Sequence, residues 1–474
     1  MRFTAHSWTK RFQDATWFQG LGKSIDQLGF LKRGSPSGQQ TAGRMAVSTF
    51  AVRVGGAALA YLSQIVLARL LGAHDYGIYS VAWTVVIILG VMACGGFSTS
   101  ASRFIPQYRQ AGDLAALRGF LKASRLIAFL IGIGAAVIGI GLVHLLRPAI
   151  DPSYNQPLII VFLALPFFAF GLVQDGIARS YDWPSLAMLP TYIWRPLAIL
   201  LLLVAAVFAG RPASAETAAF VAVAATLLVA GYQYFHLRKR LPQQIPPGPS
   251  RVELKSWVVV SLPMLMVEGF LQLITSADVI MVSFFQSPDE VAVYFAASRT
   301  LALVHFVYFA VRAASAHRFS AYTHNQDLKG LATYTRQATL WTFWPSLLAG
   351  AGLLIVAPLL LRLFGNGFES GYPLIALLMI GVLARASVGP ADALLSMTGH
   401  QRTCAGIYAV TFVFNVLLNL IFIPLFGLAG AAIATSCAIF LEASALAIAA
   451  KRKLNVTTFV VPLMYSSRGR ADED

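Results

Sequence analysis

Hydrophobic residues fall along this chain in runs of about 20, the length that carries a helix across a bilayer, with short polar intervals between them. Scanned with that window, the sequence predicts twelve helical spans, near residues 44–66, 77–100, 124–146, 157–177, 186–208, 216–236, 257–284, 291–313, 338–361, 372–393, 404–426 and 428–450. A single glycine, Gly427, divides the last two. Pro166, Pro190 and Pro196 lie inside the fourth and fifth, where a missing backbone donor predicts a kink rather than an end. Composition agrees: 57% of the 474 residues are hydrophobic, 12% are charged, and the mean hydropathy is +0.68. Soluble domains carry about 25% charged residues. The polar, basic opening does not read as a cleavable signal peptide, so the first span is the expected insertion signal.

Charge then orients the spans. Lys10, Lys23, Lys32, Lys122, Lys239, Lys255, Lys329, Lys451 and Lys453 are every lysine in the chain, and all fall in the termini or in loops that follow even-numbered spans. Arg69, Arg147, Arg211 and Arg362 are the only loop arginines on the other side. Basic loops stay in the cytoplasm, so both termini are expected there, with the protein in the cell's inner (cytoplasmic) membrane. The net charge of +16 is accordingly expected to face anionic membrane lipids, not nucleic acid. Between residues 1 and 43, Trp8, Phe12, Phe18, Leu21, Ile25 and Leu28 recur mainly at three- and four-residue steps among basic residues, the pattern of an amphipathic helix on the inner leaflet.

The outer loops are short, the longest lying near Arg147 to Gln156, which leaves no room for the acceptor site of a membrane glycosyltransferase or ligase. No acid/base pair converges outside the bilayer either, so no catalytic residues and no enzymatic activity are expected. Cys94, Cys404 and Cys437 sit in apolar stretches without metal-ligand spacing, and neither a metal site nor a cofactor is expected.

Shifted by 215 residues, the chain overlays on itself: Tyr79 meets Tyr294, Ala82 meets Ala297, Arg103 meets Arg318 and Phe104 meets Phe319. A slip of one or two residues then pairs Asp113-Leu114 with Asp327-Leu328 and Asp175 with Asp392. Six spans per copy is an even number, so two six-helix lobes should share one orientation and be related by a pseudo-two-fold axis along the membrane normal. The predicted organisation is an extension at 1–43, lobes at 44–236 and 257–450, a linker at 237–256 and a tail at 451–474. Prolines 242, 246, 247 and 249 keep the linker from being helical and suggest a loose tether.

Arg53, Arg195, Arg299 and Arg385 lie inside apolar spans, whereas no lysine does. An arginine at the centre of a membrane helix costs about 2.5–3.5 kcal/mol and is usually kept for a ligand or partner. Guanidinium, unlike ammonium, grips phosphate through two parallel charge-assisted hydrogen bonds, so this skew points to a phosphorylated anion. Arg385 is expected to pair with Asp392 on the same face, and Asp175 with Arg179 at i, i+4. Glu268 and Asp278 are candidates for proton or sodium coupling. Glu442 is better explained by a hydrogen bond within its lobe.

Two stretches carry a family resemblance. Gln64-Ile-Val-Leu-Ala-Arg69-Leu-Leu-Gly72-Ala-His-Asp-Tyr76-Gly77-Ile-Tyr79 and the run from Asn415 through Asn419, Pro424, Gly427 and Gly430 to Thr435 resemble the span-one/span-two and span-eleven/span-twelve junctions of polysaccharide repeat-unit flippases. These are the Wzx-type members of the multidrug/oligosaccharidyl-lipid/polysaccharide exporter superfamily. The resemblance covers about residues 44 to 450. It implies a MATE-like V of two lobes and a cargo of undecaprenyl-pyrophosphate-linked oligosaccharide, moved for surface polysaccharide synthesis, with polymerase and export proteins as partners. Related lipid II flippases place essential arginines in spans one, two and eight. Arg53 and Arg299 match by span, but the second span has no interior arginine. Cation-coupled drug exporters often carry an acid in span one, where this chain has Arg53.

Overall fold

A computed structural model describes residues 36–148 and 151–460, with side chains from Gly55 onward. Contacts divide the chain into two units, Met1–Arg53 and Val54–Asp474. The first contributes the opening of helix α1. Most of the expected amphipathic extension and the side chain of Arg53 lie outside the described residues.

The fold is helical throughout: α1 (Pro36–Ala93), α2 (Phe97–Gln110), α3 (Leu114–Leu145), α4 (Pro152–Phe162), α5 (Leu165–Ser180), α6 (Pro184–Leu189), α7 (Arg195–Phe208), α8 (Ala215–Arg240), α9 (Leu254–Ser283), α10 (Pro288–His324), α11 (Leu328–Phe364), α12 (Tyr372–Ala386), α13 (Ala391–Met397) and α14 (Gln401–Leu454). Among the described residues, nine helical runs are long and apolar enough to cross a membrane, or ten if α4 and α5, bent by 49°, form one span. Ile355 and Phe208 are 82% and 88% exposed; apolar surface this open is stable against lipid rather than water.

Two of these runs are longer than any bilayer needs, and each is broken by one glycine. Gly72 (φ 77°, ψ 170°) interrupts α1 and Gly427 (φ 58°, ψ −136°) interrupts α14. Both are left-handed conformations that cost glycine nothing, so the chain reverses without an extended loop. They stand where the hydropathy pattern divides spans one from two and eleven from twelve. The proline kinks also appear where expected. Pro166 cannot donate to the carbonyl of Phe162, the residue at which α4 ends. Pro196 likewise cannot donate to the Tyr192 carbonyl, inside the π-helical turn Pro190–Trp194 that joins α6 to α7.

The two halves turn alike. Asp113 and Asp327 accept hydrogen bonds from the Ala116 and Gly330 amides, capping α3 and α11. Left-handed residues recur at the spacing of the repeat: Gly112 with Gln326, Asp182 with Gly399, and Gly210 with Gly427. Tyr79 and Tyr294 are both buried, as are Phe104 and Phe319.

The linker departs from the tether expected of it. After α8 and a 3-10 turn at Leu241–Gln243, its backbone is irregular but firmly docked. Arg118 Nε donates to the Pro249 carbonyl at 2.7 Å and its Nη1 to that of Pro246 at 2.8 Å. The Arg251 amide bonds the Ala115 carbonyl at 2.9 Å, and a Cβ on Gly119 would stand 1.8 Å from the Arg251 oxygen. Tyr108 accepts from Trp257 Nε1 at 2.8 Å and donates to Glu253 at 2.9 Å. The proline carbonyls lack helical partners, and Arg118 supplies the donors. Asp113 is held below its ordinary range, chiefly by the Ala116 amide and then by Arg251.

Candidate substrate-binding site

Arg299 lies one turn below Phe295 on α10, its guanidinium 4.5 Å from the ring centroid. Phe295 meets Tyr76, of the other half, edge-on at 5.9 Å. Thr300, the next residue along α10, bonds Tyr61 of α1 at 3.0 Å. Arg299 thus stands where α10 meets α1, within electrostatic reach of Tyr76 and Asp278. Among the described residues it forms no salt bridge. A half-buried cation that no carboxylate directly pairs is expensive in a membrane, and an incoming anion removes that cost.

Arg195 ends a separate ladder of rings that starts on α1. Tyr79 stacks on Trp83 at 6.3 Å, Trp83 meets Phe168 at 6.1 Å, and Phe168 carries the Arg195 guanidinium at 4.5 Å. Arg195 also lines a small cleft with Thr191, Thr226 and Gln233 inside the first half. Two of its lining residues, Thr191 and Gln233, donate to Asp175 at 2.6 Å each. The expected Asp175–Arg179 ion pair is not formed: Arg179 donates instead to Ser98 Oγ at 2.9 Å. Interhelical partners satisfy both groups better than one another could along a single helix face.

In the second half the ions pair across helices as well. Arg385, expected as an open phosphate ligand partnered by Asp392, is held by Glu442 of α14 through Nε and Nη2, both residues being buried. Asp392 pairs with Arg312 of α10 at 2.6 Å and accepts from Tyr308 at 2.7 Å. Tyr308 in turn lies under the Arg385 guanidinium, 5.6 Å from its centroid. Two cations and two carboxylates make a neutral cluster, buried but for the partly exposed Arg312. Sequence reading missed Arg312 because it falls at the edge of the predicted eighth span; its place one turn after Tyr308 was the available signal. Asn415 and Asn419, one turn apart on α14 and fully buried, bond each other and keep an unpartnered amide nitrogen and oxygen.

The coupling candidates occupy different surroundings. Asp278 is buried and accepts from Tyr294 at 2.7 Å and from the Val279 amide. Glu268 accepts from Thr99 of α2, so it bridges the halves.

Around Gly72, α1 packs closely against α10 and α11. Arg69 donates to the carbonyls of Leu363 at 2.7 Å and Arg362 at 2.6 Å, and His74 meets Asp289 at 3.2 Å. A Cβ on Gly77 would stand 1.8 Å from the Pro288 oxygen. Gly77→Val is therefore expected to unseat this closure and cut transport about tenfold or more, since overpacking costs about 1–3 kcal/mol. Disulfide trapping of a Tyr61→Cys/Thr300→Cys pair reads the closure directly; unchanged trapping in the valine background contradicts the expectation.

The fold is that of a multi-pass helical membrane protein. Solved structures of that kind match it along nearly their whole length. An inward-facing multidrug resistance MATE family transporter of the MOP superfamily superposes with a TM-score of 0.72 at 16% identity, covering 84% of this chain and 94% of that one. The lipid II flippase MurJ, in an inward closed conformation, gives 0.67 at 15% identity, with 86% and 87% covered. A MOP superfamily transporter from Pyrococcus furiosus Vc1 (DSM3638), whose binding pocket of reverse polarity suggests a different function, gives 0.63 at 14% identity, with 86% and 94% covered. Among curated proteins none matches significantly. The chain belongs to the polysaccharide biosynthesis protein family, whose sequence profile matches residues 43–320; the MatE profile matches residues 263–421. Its fold is MATE-like.

Proposed function

We propose that this protein flips undecaprenyl-pyrophosphate-linked oligosaccharide repeat units across the cytoplasmic membrane by alternating access, for surface or exopolysaccharide synthesis. The carrying observation is Arg299, a half-buried guanidinium without a carboxylate partner at the junction of the halves. Family membership supports a polysaccharide precursor, and the excess of arginine over lysine in the spans supports its pyrophosphate as the group held. Arg195 extends the grip along the aromatic ladder, and the rings offer stacking surfaces for sugars. Arg53 enters on the sequence alone. Arg385 holds α12 to α14 and acts as a scaffold.

In this reading, splitting α1 at Gly72 and α14 at Gly427, and joining α4 to α5, yields twelve spans in two parallel six-helix repeats with both termini cytoplasmic. The Gly72 end then faces outward, and its closure corresponds to a cycle state open inward. Glu268 is suited to coupling, because its bond to Thr99 crosses the halves and must break when they rock.

The test is chemical. Deleting the protein is expected to leave a prenyl-pyrophosphate glycan on the inner leaflet, identified by lipid extraction and mass spectrometry. Proteoliposomes carrying the pure protein should translocate that lipid. A normal glycolipid pool on deletion, together with export of cationic drugs by the proteoliposomes, overturns the reading in favour of a multidrug exporter.

A further inference from the structure

A second set of arginines lies outside the substrate path, among α2, α3, α5 and α8. Arg125, eleven residues into α3, points its guanidinium between helices: its Nε and Nη2 are buried and have no hydrogen-bond partner. Among the described residues, the ring it contacts is that of Tyr234 of α8, 6.0 Å away. Tyr181, just beyond α5, is within electrostatic reach of Arg125, and its buried hydroxyl is also unpartnered. Two further guanidiniums gather on the same aromatic pair. Arg109 lies 5.1 Å from the Tyr181 ring, Arg240 lies 5.7 Å from the Trp183 ring, and the two rings stack at 5.0 Å. Asp182, the carboxylate in this turn, is exposed and makes no ion pair with them.

Buried guanidinium nitrogens are nearly always bonded, because leaving a donor dry costs about 1–3 kcal/mol and more when it is charged. Three cations with one phenol and no paired carboxylate want an anion with several acceptor oxygens. The surface beside the cluster indicates where that anion comes from. Leu126 and Leu130, 58% and 54% exposed, continue along α3, and Phe235 is 66% exposed on α8. Apolar stripes next to a cationic pocket suit acyl chains below a head group.

We infer that Arg125, Arg109, Arg240 and Tyr181 form a phosphate site, separate from the substrate path, that holds the head group of an anionic phospholipid. Arg125 bonds the phosphate oxygens from below, the Tyr181 hydroxyl donates beside it, and Arg109 and Arg240 close over it from the membrane edge. The lipid fastens α2, α3, α5 and α8 at the end from which the docked linker departs.

Full-length protein in detergent, given phosphatidylglycerol, phosphatidylcholine or inorganic phosphate, tests the site by native mass spectrometry and thermal unfolding. Phosphatidylglycerol is expected to be retained and to raise the unfolding temperature, phosphatidylcholine to do neither. Arg125→Gln should weaken retention about tenfold or more. Arg109→Gln, at an exposed side chain, should weaken it severalfold without altering the size-exclusion profile. Equal retention of both lipids by the wild type, or unchanged retention in both variants, overturns the site. A stabilisation by inorganic phosphate that depends on Arg125, with no lipid selectivity, overturns the lipid as its source.

Discussion

Arg299→Ala is expected to abolish glycolipid flipping while leaving the protein folded, and at least as stable as the wild type. Two charge-assisted hydrogen bonds to a phosphate contribute about 1.5–3 kcal/mol each, so losing both lowers affinity about a hundredfold even after discounting for water in the site. Stability moves the other way, because a guanidinium without a counter-ion in a span costs about 2.5–3.5 kcal/mol that alanine does not. Arg299→Lys keeps the charge and loses the fork, and an intermediate loss of about tenfold is expected. The measurements are translocation of a labelled prenyl-pyrophosphate glycan in proteoliposomes and thermal unfolding of the same preparations. A destabilised alanine variant, or one that flips normally, would show Arg299 to be a packing residue.

Arg385 and Glu442 should behave oppositely. Removing either one leaves a bare charge in a nearly dry interior, and breaking a buried pair costs about 3–5 kcal/mol. Arg385→Met and Glu442→Leu are each expected to lower yield and unfolding temperature sharply, whereas the double variant recovers most of both, because two apolar side chains need no partner. Fluorescence-detected size exclusion after heating reads this in all four proteins. If Arg385→Met were stable but inactive, Arg385 would return to the list of phosphate ligands.

The contrast between these arginines marks what one dimension can carry. Their presence in the spans, their excess over lysine and the spacing that repeats Asp175 at Asp392 are all visible in the string of residues. Their partners are not. Arg385 and Asp392 lie two turns apart on what reads as one helical face, yet α12 ends at Ala386 and α13 starts at Ala391, so the break separates them. Glu442, 57 residues away, then takes Arg385. Asp175 and Arg179 do share a helix, but Gln233 and Ser98 come from helices packed against it and win both groups. The linker shows the same limit: its prolines announce an irregular backbone, but the donors that dock it come from Arg118, more than a hundred residues earlier.

Hydropathy, loop charge and glycine or proline placement determined the bilayer, the helices and where they bend, because these follow from local backbone chemistry and from transfer of each segment into lipid. Tertiary structure alone decided which buried charges are neutralised within the protein and which stay open, as at Arg299 and Arg125. An ion pair in low dielectric depends on approach within a few ångströms between helices distant in the chain, and no local pattern encodes that distance.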